Sequence, residues 1–403
     1  DDILEPADLL HVATGQSIIA HGRIKSLNLD AVRLAEGVVD VITVSDVPGD
    51  PDVSPVYTGD MLLASEKVVY IGQPIFAVAA ISLELAKKAC QQATIKYEEL
   101  EAVLTPQQAL ANESFVLPTR SLVKGDVDQA IESATHVVEA EQFVRGQEHF
   151  YLEGQISMAL PTEDGGVHVI SSSQHPSEVQ KLVASVLGLN INQVQSETRR
   201  MGGGFGGKES QAAILACTAS LFAVRNRRAV KYRMPRQDDM VQTGKRHDFW
   251  NRYRAGVTEQ GVIVGVQMEL AGLCGCTADL SEGIVDRAMF HADNAYYYPA
   301  TRINGYRCKT NTVSNTAFRG FGGPKGMIAA EAMMDDIARK VGRDPLDVRL
   351  DNLYAPGRDE TPYGQKIEQH MLYDMMEKLA SDADYRERRI AISAFNRGNT
   401  DLR

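Results

Sequence analysis

The chain has 403 residues, of which 42 are Lys or Arg and 53 are Asp or Glu, for a net charge of −11. At about 100–200 residues per domain this predicts two or three domains, with enough buried surface to need no disulfide or metal staple. The acidic balance argues against nucleic acid or an anionic membrane surface as partner, and no apolar run approaches the ~18 residues of a membrane span.

In chain order, residues 38–44 predict a strand, followed by a turn at 46–52 carrying Pro48 and Gly49. Residues 68–71, 75–81 and 94–97 predict further short strands. Between the last two, 83–92 set Leu83, Ala86, Ala89 and Cys90 on one side, the period of an amphipathic helix. Residues 1–105 therefore read as a small α+β unit. Pro106, Pro118 and Gly125 mark 106–135 as a linker draped over the surface.

From 136 to 403 the pattern is larger and more regular. Strands are expected at 137–144, 156–160 and 167–171, a helix at 177–187 and a strand at 193–198. A glycine loop then opens an apolar helix, 211–224. Strands follow at 229–233, 249–257, 263–273 and 302–308. A second glycine loop, 317–324, opens a helix at 327–340, and 367–396 read as a charged helical tail. No internal repeat or low-complexity tract is present.

Five Cys without a CxxC pair read as reduced, core-filling thiols, which suits the cytoplasm. The nine His show no HxxxH or HExxH spacing, so they predict no metal site; His247 and His291 are expected as core or cleft hydrogen-bonders. Asp1-Asp2 brings no basic or apolar leader, so no secretion signal is expected. Together with Asp401-Leu-Arg403 it reads as the edge of an excised segment.

The first glycine loop is Met201-Gly-Gly-Gly-Phe205-Gly-Gly-Lys208-Glu209. It satisfies GxGxxG, but the acidic residue a dinucleotide site needs about 20 positions on is replaced by Arg227-Arg-Ala-Val-Lys231. It also nearly matches a Walker A loop, yet Glu209 stands where a Ser or Thr should hold magnesium. Its backbone N–H groups open a helix, so an oxyanion or metal-oxo group fits better than a triphosphate. The second loop, Ala317-Phe-Arg319-Gly-Phe321-Gly-Gly-Pro324, again sets aromatics between glycines at a helix start. Glycine allows close backbone approach and Arg319 adds a fixed cation, which together describe a pocket for a flat, anionic ligand.

These strings resemble a known family. Gly202-Gly-Gly-Phe-Gly-Gly-Lys-Glu209 and Asn315-Thr-Ala-Phe-Arg-Gly-Phe-Gly-Gly-Pro324 are similar to signatures of the molybdenum hydroxylases, the xanthine dehydrogenase and aldehyde oxidase group. Ser171-Ser-Ser-Gln174 and Asp286-Arg-Ala-Met-Phe-His291 are similar to two more. Ala64-Ser-Glu-Lys-Val-Val-Tyr-Ile-Gly-Gln-Pro74 resembles part of the family's hammerhead domain. The resemblance implies an α+β fold: a hammerhead domain at 1–105, a linker at 106–135, and at 136–403 the first part of a molybdopterin-binding domain of mixed sheets and helices.

It also implies roles. Gln174 matches the residue whose amide lies beside an oxygen ligand of molybdenum, and Phe205 and Gly206 match the loop that approaches the oxo group. Arg319 matches an arginine near the metal and the cofactor; none of these four is a direct metal ligand. Glu209 and Arg287 match a catalytic, substrate-binding pair that separates xanthine-type enzymes from aldehyde oxidases. Phe321 matches an aromatic that holds the planar substrate. The implied activity is hydroxylation of hypoxanthine or xanthine to urate with water's oxygen. Electrons would pass to [2Fe-2S] clusters and FAD on a partner subunit of a cytoplasmic hetero-oligomer.

The family's second pterin-gripping segment, second substrate phenylalanine and Gly-Val-Gly-Glu general base do not occur in these residues. The chain is therefore expected to be incomplete, through truncation or a natural split, inactive by itself, and completed by the remainder of the molybdopterin-binding region. The alternatives are a family member acting on another N-heterocycle or an aldehyde, a non-catalytic assembly fragment, or a P-loop nucleotide enzyme.

Overall fold

A computed structural model describes residues 2–401. Asp1, Leu402 and Arg403, read above as segment edges, lie outside the described residues. Three sheets organise the chain. The largest has seven strands in the order Val194–Glu197, Val167–Ser171, Ile156–Pro161, Val230–Arg233, Leu10–Gln16, Pro74–Ala80 and Val38–Ile42. Every residue of Pro74–Ala80 is buried, as its continuous apolar run requires of an inner strand.

Leu10–Gln16 is the strand that joins the two expected domains, and its sequence did not announce it. It pairs antiparallel with Pro74–Ala80 and parallel with Val230–Arg233, through Leu10 opposite Val230. The sheet of the first 105 residues is thus continuous with that of the larger region. A separate three-stranded sheet, Lys67–Val68, Gly22–Asn28 and Thr94–Glu99, belongs to the first unit.

Two long helices pack on one face of the seven-stranded sheet, and the short helix Leu83–Cys90 packs on the other. Helix α1 (Pro176–Leu187) ends on Gly188, whose φ of 66° suits the left-handed cap. Helix α2 (Ala212–Asn226) is buried almost all round, as its unbroken apolar composition predicts. The second core lies between α3 (Ser281–Phe290), α4 (Gly323–Val341) and a five-stranded sheet. That sheet runs Phe115–Lys124, Thr301–Lys309, Ile263–Gly275, Phe249–Val257 and His136–Val144. Helix α3 crosses the start of α4 at backbone contact. A Cβ on Gly322 would lie 1.7 Å from the Ile284 carbonyl oxygen, and one on Gly326 2.0 Å from that of Ala288.

The segment expected as a linker, 106–135, is built otherwise. Pro106–Ala111 and Val127–Glu132 are short helices, and Phe115–Lys124 between them is an edge strand paired with Thr301–Lys309. Its prolines fit regular structure: Pro106 opens a helix capped by Thr105, and Pro118 falls where the register of the edge pairing slips. The expected tail resolves into helices Leu372–Asp382 and Tyr385–Gly398, neither of which buries a residue. Four of the five free thiols are buried, and Cys90 is partly so. Among the described residues no helix is long and apolar enough to cross a membrane.

Candidate active site

The first glycine loop leaves the strand Val194–Glu197 and ends on α2. Phe205 and Gly206 both take positive φ, 55° and 100°. Gly206 is required twice over, because a Cβ there would also meet the Ala317 carbonyl oxygen at 2.7 Å. Gln174 braces the loop from the end of strand Val167–Ser171. Its Oε1 accepts from the N–H groups of Gly206 (2.9 Å) and Lys208 (3.2 Å), and its own N–H donates to the Lys208 carbonyl. That pattern fixes the amide with its oxygen on the loop and its NH2 turned away. Among the described residues this NH2 and the Phe205 N–H carry no partner.

Lys208 is not a phosphate binder. Its side chain is fully buried, with Nζ donating to the Glu153 carbonyl (2.9 Å) and the Ser172 hydroxyl (2.8 Å) and lying 4.5 Å from the Tyr151 ring centroid. Burial pulls its amine down to about 8. The Glu153 carboxylate, 3.6 Å from Nζ, accepts from the Gly202 N–H at the other end of the loop. Both ends of the first loop are therefore tied to the segment 145–155.

The second loop meets the first directly. The Arg319 N–H donates to the Phe205 carbonyl at 2.9 Å, in the region where Gly206 packs on Ala317. Two residues that the motifs did not reveal hold this junction. His149 donates from Nε2 to the Ala317 carbonyl (2.7 Å) and lies against Phe318, and burial keeps its ring below the ordinary histidine range. Arg246 donates to the carbonyls of Arg319 (2.5 Å) and Phe321 (3.1 Å) and stacks 4.0 Å above the Phe318 ring centroid. Burial lowers this guanidinium to about 10, and no carboxylate pairs with it among the described residues.

The expected substrate residues lie around this junction. Phe321, at φ 58°, packs its ring edge over Gly283 of α3, and Arg287 follows one helical turn later. Arg287 is exposed and carries no ion pair among the described residues. Its neighbour Asp286 is engaged elsewhere, by Arg120 and Arg307. Glu209 is half-buried. Burial pushes its carboxyl above the usual range, opposed by the nearby His175. Arg319 is exposed, and no side-chain bond links it to Glu209 or Arg287 among the described residues. Backbone contacts bring Gln174, Phe205, Gly206 and Arg319 together. His247 is buried and bonded to the Ser281 hydroxyl (2.7 Å), a core hydrogen-bonder as expected.

The donor set says what could sit here. The junction presents the Phe205 N–H and the Gln174 amide, with the exposed Arg319 beside them, and among the described residues no group of three or more His, Cys, Asp or Glu could hold a metal. Free N–H donors of this kind suit the oxygen atoms of a bound group.

Comparisons with known proteins agree. Residues 111–353 match the family model of the molybdopterin cofactor-binding domain, and 1–101 that of the aldehyde oxidase and xanthine dehydrogenase a/b hammerhead domain. The chain is 38% identical to xanthine dehydrogenase/oxidase of Gallus gallus over 400 residues, covering 99% of this chain and 29% of that protein. It is 39% identical to xanthine dehydrogenase 1 of Arabidopsis thaliana over 404 residues, with 99% and 30% covered. The chain thus spans about three-tenths of these relatives' length. Aldehyde oxidoreductase from Desulfovibrio gigas superposes with a TM-score of 0.86 at 28% identity, covering 98% of this chain and 45% of that one. Quinoline 2-oxidoreductase from Pseudomonas putida 86 shares the fold at 22% identity, with a TM-score of 0.85 and coverage of 97% and 53%. Hammerhead and cofactor-binding models in succession, over loops that converge as a donor-rich cradle, establish that the chain belongs to the xanthine dehydrogenase and aldehyde oxidase family of molybdenum hydroxylases.

Proposed function

We propose that this chain supplies the front half of a molybdenum hydroxylase centre acting on a purine, hypoxanthine or xanthine, in a longer or multi-subunit protein. The observation that carries the reading is the junction of the two loops, Arg319 N–H on Phe205 O with Gly206 against Ala317. Gln174, Phe205, Gly206 and Arg319 would hold the molybdenum–molybdopterin from one side. When bound, that cofactor supplies oxygen transfer from water and takes up two electrons, which leave through [2Fe-2S] clusters and FAD on a partner subunit.

This chain's residues then bind and orient. Phe321 offers a ring edge or face to a planar heterocycle. Arg287 places an unpaired guanidinium where a purine carbonyl gains negative charge in the transition state. Glu209, held protonated more readily by burial, donates to or accepts from a ring nitrogen. It is not the general base; that role falls to a residue outside these 403. The buried free thiols suit a reducing, cytoplasmic setting.

The test is substrate discrimination by the complete protein. Hypoxanthine should be turned over with kcat/KM at least about tenfold above a small aromatic aldehyde, because only the purine uses Glu209 and Arg287. The reverse preference would assign the site to the aldehyde branch and overturn the purine reading.

A further inference from the structure

Asp279 is 1% exposed and takes a positive φ of 42°, two marks of a residue held in place by its surroundings. It lies in the loop before α3, outside every motif discussed above. Oδ1 accepts from the Thr316 hydroxyl (2.6 Å) and from the N–H of Leu280 (2.7 Å). Oδ2 accepts from the Ser210 hydroxyl (2.7 Å) and from Nε2 of Gln211 (3.0 Å). Four donors thus converge on one buried carboxylate.

Those donors come from three segments. Ser210 follows Glu209 at the end of the first loop. Thr316 directly precedes Ala317 of the second loop. Leu280 caps α3, which carries Arg287. A second tier reaches the brace: Gln211 Oε1 accepts from the Gly244 N–H (2.8 Å), and the Lys245 carbonyl accepts from the Thr316 N–H (3.0 Å), immediately before Arg246.

We propose that Asp279 is the positioning residue that sets Glu209, Arg287 and the Arg319–Phe321 turn in register, its two oxygens dividing the work. Oδ1 holds the second loop to α3, and Oδ2 holds the first loop to both. A carboxylate is needed because it alone accepts on both oxygens; an amide of the same shape serves one pair of donors and opposes the other. Burial, followed by the charge of Asp60, raises the Asp279 carboxyl to about 7, while the hydrogen bonds from Thr316, Ser210 and the Leu280 N–H favour its charged form. The proposal deepens the purine reading above and rests on it for the identity of the reaction.

The experiment uses the complete enzyme with Asp279→Asn, and reads kinetics per bound molybdenum together with amide hydrogen exchange. An asparagine can keep Oδ1 on Leu280 and Thr316 while its NH2 confronts Gln211 Nε2. Molybdenum content should hold, kcat for hypoxanthine should fall by about tenfold or more with a smaller change in KM, and exchange should rise in 203–209 but not in 315–322. Thr316→Val should give the opposite exchange pattern. If Asp279→Asn does not accumulate, Ser210→Ala releases the same loop by removing one donor. A variant that only lowers Tm, with kcat per molybdenum within twofold of wild type, overturns the proposal. So does exchange that rises equally in both loops. Should the wild type itself fail to oxidise purines, the substrate reading fails, and the exchange patterns still decide the role of Asp279.

Discussion

Arg287→Met in the complete enzyme is expected to lower kcat/KM for hypoxanthine by on the order of a hundredfold, about 3 kcal/mol of transition-state stabilisation. The guanidinium is exposed on α3 beside the helix face that Phe321 covers, and no carboxylate among the described residues competes for it. On the purine reading proposed above, charge that develops on the substrate carbonyl would meet a donor with free capacity. The change should appear mainly in kcat, since the ground-state carbonyl carries little charge. Asp286 keeps its own arginines, so unfolding stability should move by no more than about 0.5 kcal/mol. Steady-state kinetics with matched molybdenum content measure the effect. Unchanged kcat/KM would remove Arg287 from the chemistry.

Lys208→Met is expected to destabilise the protein by about 3 kcal/mol, although lysine at the end of a glycine loop suggests a surface role. Its ammonium is buried among the Glu153 carbonyl, the Ser172 hydroxyl and the Glu153 carboxylate, and methionine fills the space without serving any of them. The Glu153 carbonyl and the Ser172 hydroxyl would each lose the hydrogen bond that Nζ donates. The sign of the pH dependence follows from the lowered amine. The folded protein releases this proton near pH 8 while the unfolded chain retains it to a higher pH, so wild-type stability gains on the variant as pH rises above about 8. Denaturant unfolding at several pH values reads both effects. A loss below about 1 kcal/mol at neutral pH would mean that Lys208 is not part of the loop's anchor.

Much of the fold could be read locally, and the exceptions have physical causes. Helices 177–187, 211–224 and 327–340 match observed helices to within about one turn, because each shows an apolar period or an apolar mass that must be buried. Leu10–Gln16 was hidden because Thr14 and Gly15 interrupt it; Gly15 is there because the Phe76 ring leaves no room for a Cβ. The stretch 106–135 was misleading since Pro106 and Pro118 punctuate sequence in the same way whether they break structure or occupy a helix start and an edge strand.

The site divides along similar lines. Glycines and aromatics at 202–207 and 318–323 are visible because close approach and positive φ leave their mark on residue type. His149, Arg246, Lys208 and Asp279 were opaque as functional parts. What defines them is the partner each finds across the fold: the Ala317 carbonyl, the Phe318 ring, the Glu153 carbonyl and the Thr316 hydroxyl. No spacing along the chain encodes those meetings.

The most direct check is an anomalous difference map collected at the molybdenum edge from crystals of the complete protein. One peak per chain should appear beside the Gln174 amide, facing the Phe205–Gly206 backbone and on the same side as Arg319. A molybdenum peak remote from those four residues, or none in catalytically active crystals, would contradict the assignment of the joined glycine loops as the cofactor's cradle.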